Sequence, residues 1–268
     1  MSSSTFQVAP QPAGSAMALN ARASSDYTLK LAEASAALSQ AAAQYAGADV
    51  APASVVQASS LGAEDVVISH LINSLQLNIG IFVLETGRLH QETLGLLEQF
   101  KASSRAPVTV YTPVQESVVQ FVAREGQDAM YKSIPLRKEC CNIRKMEPLA
   151  RALAGKQAWI TGLRREQSGA RAEVPLVDTS EPRTKITPLA NWTWGDVWHY
   201  IRENGVAYNP LHDQFFPSIG CEPCTRAISL GEDFRSGRWW WEANLEGGAA
   251  KECGLHVKAT DSHEKSKA

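Results

Sequence analysis

Long apolar runs, net charge and cysteine are all scarce in this 268-residue sequence, and each scarcity removes a class of protein. No apolar stretch approaches the roughly 18 residues needed to cross a bilayer, so no membrane partner is expected. A formal net charge of -2 gives no general attraction to nucleic acid or anionic lipid, and any anion must be met by local groups of Arg and Lys. The opening Met1-Ser2-Ser3-Ser4-Thr5-Phe6 has neither the basic nor the apolar region of a secretory signal. A cytoplasmic, reducing location is the expectation, where the few cysteines are more often metal ligands or redox catalysts than disulfides.

With 44% apolar and 20% charged residues, the chain can bury a full core. Residues 1 to about 25 are rich in Ser, Ala, Gln and Pro and read as a disordered leader. An Ala-rich helix follows from Asp26 to about Tyr45. Short apolar runs then alternate with helical periodicity. Strands are expected at Val55–Ala58, Leu77–Leu84, Val108–Tyr111 and Ala158–Thr161, and helices at about 64–75, 89–101, 114–125 and 137–154. Strands separated by helices of this length predict an α/β fold: a mainly parallel sheet with helices on both faces and ligands at the carboxyl ends of its strands. The alternation stops near Ala172. Thr193-Trp194-Gly195-Asp196 predicts a capping box for a helix that ends at Gly205, ahead of a loop-rich C-terminal segment. Residues 26–242 are taken as one folded domain and 243–268 as a mobile tail.

Five cysteines fall into a four-plus-one pattern. Cys140 and Cys141 are adjacent and followed by Arg144 and Lys145, and Cys221-Glu222-Pro223-Cys224 supplies a second pair. Adjacent thiols point about 100° apart on a helix and cannot fill one core pocket, but they can grip two corners of one bulky centre. A tetrahedral zinc and a [4Fe-4S] cube both take four thiolates, and both remain open on this chemistry. Cys253 is left over in Glu252-Cys253-Gly254-Leu255-His256, a polar setting in which cations can lower a thiol's pKa and make it a nucleophile.

Three further stretches suit an anionic ligand. The turn Ser59-Ser60-Leu61-Gly62-Ala63-Glu64-Asp65 leads from a strand into a helix, where free N–H groups and the helix dipole favour phosphate. Gly162-Leu163-Arg164-Arg165-Glu166-Gln167-Ser168, with Arg171, ends another strand, and Arg235-Ser236-Gly237-Arg238 runs into three tryptophans. Guanidinium groups match phosphate and sulfate oxygens.

In order, Ser59–Asp65, Leu84-Glu85-Thr86-Gly87, Cys140–Lys145, Gly162–Ser168, Gly220–Arg226, Gly237–Glu242 and Glu252–His256 closely resemble the motifs of the assimilatory sulfonucleotide reductases, in particular the iron-sulfur, thioredoxin-dependent adenylyl-sulfate (APS) branch. The resemblance implies an adenine nucleotide alpha hydrolase-like fold. It implies that Ser59, Ser60, Leu61 and Gly62 hold the adenosine and α-phosphate side of adenosine 5'-phosphosulfate, with Leu84, Thr86, Gly87 and Gly162 around the adenine and ribose. It places Lys145, Arg171, Arg235, Arg238 and His256 around the phosphosulfate, with Arg164 in the arginine loop beside them. Cys140, Cys141, Cys221 and Cys224 would ligate a [4Fe-4S] cluster. Cys253 would attack the sulfur, and thioredoxin would free sulfite. Self-association is implied by the resemblance alone. The family's other branch takes the 3'-phosphorylated nucleotide and lacks the four cluster cysteines. Two stretches depart from the family pattern: the Val174–Pro188 connection is short, and Ala243–Ala250 is an insertion.

Overall fold

A computed structural model describes residues 14–45 and 53–244. Each apolar run in the first half becomes a strand. β1 (Val55–Ser59), β2 (Gly80–Leu84), β3 (Val108–Tyr111), β4 (Ala158–Ile160) and β6 (Thr184–Ile186) form a parallel sheet, in which β6 pairs with β4, and β5 (Val177–Asp178) joins β6 antiparallel at the edge. The order is β3-β2-β1-β4-β6-β5, so the chain builds outward to one side of β1 and then returns to its other side at β4. That reversal opens a crevice at the carboxyl ends of β1 and β4, where ligands of open α/β sheets bind.

Side chains alternate across the sheet, and each face has its own core. Val55, Ile81, Val83 and Ile160 pack into the larger cluster with α3 (Ala63–Ser74) and α8 (Trp194–Asn204). Val56, Phe82 and Trp159 pack on the other face against Leu149, Ala152 and Leu153. α4 (Gln91–Ser103) and α5 (Gln115–Glu125) follow β2 and β3 as the periodicity predicts. The capping box at Thr193 and Asp196 is formed, and Gly205 ends α8 at φ 59°, a left-handed conformation that glycine adopts without a Cβ clash. No helix among the described residues is long and apolar enough to cross a membrane.

Three expectations change. Residues 14–25, assigned to the leader by composition, carry the short helix α1 (Ala16–Asn20) ahead of α2 (Tyr27–Gln44). Ala16 N–H donates to Asp213 Oδ1 at 2.7 Å and Ser24 N–H to Asp196 Oδ1 at 2.7 Å, so distant partners order a segment whose own composition is permissive. Gly195 makes room for this strap, since a Cβ there would lie 2.4 Å from the Arg22 carbonyl oxygen. The short Val174–Pro188 connection holds the edge strand β5 and its neighbour β6, which the sequence does not announce.

The third change lies at the cysteine pair. The helix expected over 137–154 is α6 (Ile134–Cys141) and α7 (Glu147–Ala152), joined by a widened π turn at Asn142–Met146. Pro148 has no N–H to give the turn before it and its ring crowds the carbonyl four residues back, which favours widening there.

Candidate functional site

The crevice at the reversal is a cavity of about 210 Å³. Ser59, Ser60 and Gly62 line it from the end of β1, Leu84 and Thr86 from β2, and Gly162 from β4. Lys145, Arg171, Arg235 and Arg238 bring positive charge to the same space. Leu61 and Arg164 do not line it. Leu61 is wholly buried at φ 60°, where it sharpens the turn. Gly87, at φ 70°, packs beneath Arg144 instead, and a Cβ on it would lie 3.1 Å from that guanidinium.

The turn after β1 is latched by a carboxylate. Asp65 Oδ2 accepts from Ser60 N–H at 2.7 Å and from Ser60 Oγ at 2.6 Å, and Oδ1 accepts from Gly162 N–H at 3.1 Å, so one side chain ties the ends of β1 and β4 together. Leu61 N–H donates to Ser59 Oγ at 3.2 Å and Gly62 N–H to Ser60 Oγ at 3.4 Å. The N–H groups of Ser60, Leu61 and Gly62, expected to be free for phosphate, are thus engaged within the turn. Burial pushes the Asp65 carboxyl up to about 6, against the hydrogen bonds that favour its charge.

Arg164 corrects a second expectation. It is 1% exposed, and its Nε donates to Glu64 Oε1 at 2.8 Å and its Nη1 to Glu166 Oε2 at 2.7 Å. Its guanidinium is therefore committed to carboxylates behind the cavity wall rather than to a ligand. Burial works against the Glu64 charge, but Arg164 and the Gln167 amide, 3.0 Å away, hold that carboxyl below the ordinary range. Gln167 also donates to the Gly162 carbonyl and accepts from Arg171, which places Arg171 at the cavity. Arg238 reaches the cavity over Gly220, where a Cβ would sit 2.5 Å from its Nη2.

The four cysteines come together in a second, smaller cavity, which they line with Arg137 and Trp239. The loop carrying Cys221 is held by an antiparallel bridge from Cys221 to Leu89 and by Glu222 N–H donating to the Arg88 carbonyl at 2.8 Å. Thr86 Oγ1 lies 3.3 Å from Cys221 Sγ, and Arg144 Nη1 donates to the Thr86 carbonyl at 2.7 Å. Burial raises the Cys140 thiol while Arg144 opposes the rise. Burial and the neighbouring Cys221 push Cys224 up to about 12, against Lys145 and Arg238. Among the described residues, no three His, Cys, Asp or Glu side chains form a group that would hold a single metal ion, yet four cysteines ring one space. A centre held by four thiolates, a [4Fe-4S] cube or a tetrahedral ion, suits such a donor set. Lys145 lines both cavities, alone among the described residues.

His212 was not foreseen. It lines the larger cavity beside the Trp194 and Trp198 rings, and burial pushes it down to about 4 against the Phe216 backbone and nearby carboxylates, so it is neutral near pH 7. Its only signal in the sequence is a histidine in a loop that also supplies Pro217 to Gly220. Cys253 and His256 lie outside the described residues.

Residues 54–227 match the phosphoadenosine phosphosulfate reductase domain. The chain belongs to that reductase family. Within it, the chain is 52% identical over 200 residues to the adenosine 5'-phosphosulfate reductase of Allochromatium vinosum, a match covering 74% of this chain and 77% of that protein. It is equally 52% identical, over 201 residues, to the enzyme of the same name from Burkholderia cepacia, covering 74% of this chain and 79% of that one. Among solved structures, the phosphate complex of phosphoadenylyl-sulfate (PAPS) reductase from Candida auris superposes with a TM-score of 0.55 at 27% identity, covering 68% of this chain and 87% of that one.

Proposed function

We propose that this chain reduces adenosine 5'-phosphosulfate to sulfite and AMP, supplying sulfite for cysteine biosynthesis in the cytoplasm. The observation that carries the reading is Lys145, which faces the nucleotide-sized cavity and the four-cysteine cavity at once. The relatives named for this substrate, at 52% identity, support it.

The steps balance as follows. The Cys253 thiolate attacks the substrate sulfur, the sulfur–oxygen bond to the phosphate breaks, and AMP leaves with that electron pair, so Cys253 becomes S-sulfocysteine. One thiol of reduced thioredoxin then attacks Cys253 Sγ, sulfite leaves with the sulfur–sulfur pair, and the second thioredoxin thiol frees Cys253 as a disulfide forms. Lys145, Arg171, Arg235 and Arg238 offset the charge that gathers on the phosphate as it departs. Ser59, Ser60, Gly62, Leu84, Thr86 and Gly162 hold the nucleoside. A [4Fe-4S] cluster on Cys140, Cys141, Cys221 and Cys224 would supply fixed charge beside Lys145 and carry no electron of the reaction. His256, like Cys253, joins from outside the described residues.

The test is mass spectrometry of protein mixed with adenosine 5'-phosphosulfate and no reductant. A sulfonate adduct on Cys253, lost in Cys253→Ser while AMP still binds, is expected; intact turnover by Cys253→Ser defeats the reading. An absorbance shoulder near roughly 400 nm in anaerobically purified protein is expected of iron bound by thiolates, and its absence with one zinc per chain would favour the zinc alternative. Reduction of the 3'-phosphorylated nucleotide is the second reading, suggested by the Candida auris structure. Rates on both substrates decide between them.

A further inference from the structure

The segment from Asn209 to Gly220 has little regular structure to hold it, yet it forms one wall of the larger cavity. Beyond a single turn at Pro210–Gln214 it contains no helix or strand, and it supplies His212, Pro217, Ser218, Ile219 and Gly220 to the lining before the chain reaches Cys221. A loop without a backbone ladder opens easily unless side chains tie it down. The inner tie is Asn209, wholly buried, whose Nδ2 donates to Thr93 Oγ1 at 2.8 Å and whose Oδ1 accepts from Leu211 N–H at 3.1 Å.

The outer tie comes from the opposite end of the chain. Asp213 Oδ1 accepts from Ala16 N–H at 2.7 Å, and Tyr208 Oη donates to the same carboxylate with both oxygens 3.1 Å away. Ala16 opens α1, and the first N–H groups of a helix have no partner inside it, so the carboxylate satisfies α1 while α1 fixes the carboxylate. The strap is itself secured: Ser15 Oγ accepts from Ala18 N–H at 3.2 Å, Ala16 and Met17 are buried in the larger core, and Arg22 N–H donates to the Gly195 carbonyl at 3.3 Å. From Asp213 the wall runs inward on both sides. Its neighbour His212 is 6% exposed, and just beyond it the chain reverses at Phe215, φ 63°, with Phe216 N–H donating to the Leu211 carbonyl at 3.1 Å, before entering Pro217–Gly220. No residue of α1 lines the cavity, yet the residue α1 holds stands between the two parts of its wall.

We infer that Asp213 is a positioning residue for the nucleotide: pinned from outside by the strap at Ala16, it sets where His212 and the Pro217–Gly220 stretch stand in the cavity, so that α1 contributes to substrate affinity without touching substrate. The inference rests on the proposed reading of that cavity as the nucleotide site.

The experiment uses the full-length iron-loaded protein and three variants. Asp213→Ala removes the acceptor, Asp213→Asn keeps an acceptor oxygen for the Ala16 N–H, and Gly195→Ala lifts the strap from its other end, because a Cβ there would lie 2.4 Å from the Arg22 carbonyl oxygen. Four quantities are read: KM and kcat with adenosine 5'-phosphosulfate and reduced thioredoxin, the Kd of AMP by calorimetry, and iron content. In Asp213→Ala, KM and the Kd of AMP are expected to rise together by roughly 10-fold, the scale of one hydrogen bond to a charged group, with kcat within about twofold of the parent. Gly195→Ala is expected to move both constants the same way, and Asp213→Asn to restore them to within about threefold of the parent. A merely structural role would lower the active fraction, so a fall in kcat at unchanged KM in Asp213→Ala and Gly195→Ala overturns the inference. So does loss of iron in those two variants, which would assign the tie to the cysteine site. If the parent neither binds AMP nor turns over the nucleotide, the proposed function fails and takes the inference with it; an active parent with variants at its own KM defeats the inference alone.

Discussion

The wall of the nucleotide-sized cavity is tied together from within. Asp65 latches Ser60 to Gly162, Glu64 is held by Arg164 and Gln167, and Gln167 orients Arg171, so its polar groups satisfy one another before any ligand arrives. The wall of the cysteine cavity lacks this closure. Burial pushes the Cys140 and Cys224 thiols away from ionisation, and the cations near them do not reverse the push. One site is a preformed mould resting on sheet geometry; the other is a set of four cysteines gathered round one space. Lys145 stands at the boundary and lines both.

The sharpest way to break that contrast is Lys145→Gln. If this ammonium carries the influence of the cysteine site to the substrate, kcat/KM is expected to fall by about 10²- to 10³-fold, or roughly 3–4 kcal/mol, with the absorbance near 400 nm retained. A loss of only a few-fold would show that the two sites act independently.

The preformed mould makes a pH prediction with opposed signs. His212 is lowered to about 4, so the unfolded chain binds its proton first, and stability from this group is lost as pH falls from 6.5 toward 4. Asp65 is raised to about 6, so its contribution is complete below 3.8 and is lost as pH rises toward 6. Between pH 4 and 6 the two slopes nearly cancel. Asp65→Asn is expected to unmask the histidine, adding on the order of 3 kcal/mol of stability loss between pH 6 and 4 relative to the parent. His212→Phe is expected to tilt the profile the other way. Urea unfolding at stepped pH reads both.

Gly162→Ala tests the latch directly. A Cβ there would lie 2.5 Å from Asp65 Oδ1 and 2.8 Å from Glu64 Cβ, so stability is expected to drop by about 2 kcal/mol and AMP to bind more weakly, with iron content unchanged. The smallest effect belongs to a site remote from both cavities. Lys101 and Glu98 meet at 3.0 Å on the surface with 42% and 70% of their side chains exposed, and Lys101→Ala is expected to change unfolding free energy by under about 0.5 kcal/mol.

Much of this was legible in the residues, and the exceptions share a cause. β1 to β4 are apolar runs bounded by turn residues, and the capping box at Thr193 declares α8, so local pattern and tertiary fold agree there. β6 is Thr-Lys-Ile, a strand because β4 pairs with it. α1 is ordered by Asp213, almost 200 residues away. Arg164 was assigned to the ligand because a guanidinium in a motif looks the same whether it faces a phosphate or Glu64, and the acid that claims it sits in another motif. Each of these three misses is a long-range contact overriding a local signal, whereas the widened turn before Pro148 has a local cause. The cysteine quartet was readable for the opposite reason, since thiols at such spacing have few other uses.

The widened turn at Asn142–Met146 bears on anyone who would transplant this chemistry. Copying Cys-Cys-x-x-Arg-Lys onto a regular α-helix would preserve the letters and rotate the lysine away from its second cavity. A graft intended to work would have to bring Pro148 and the loosened backbone with it, because Lys145 itself lies in the bulge.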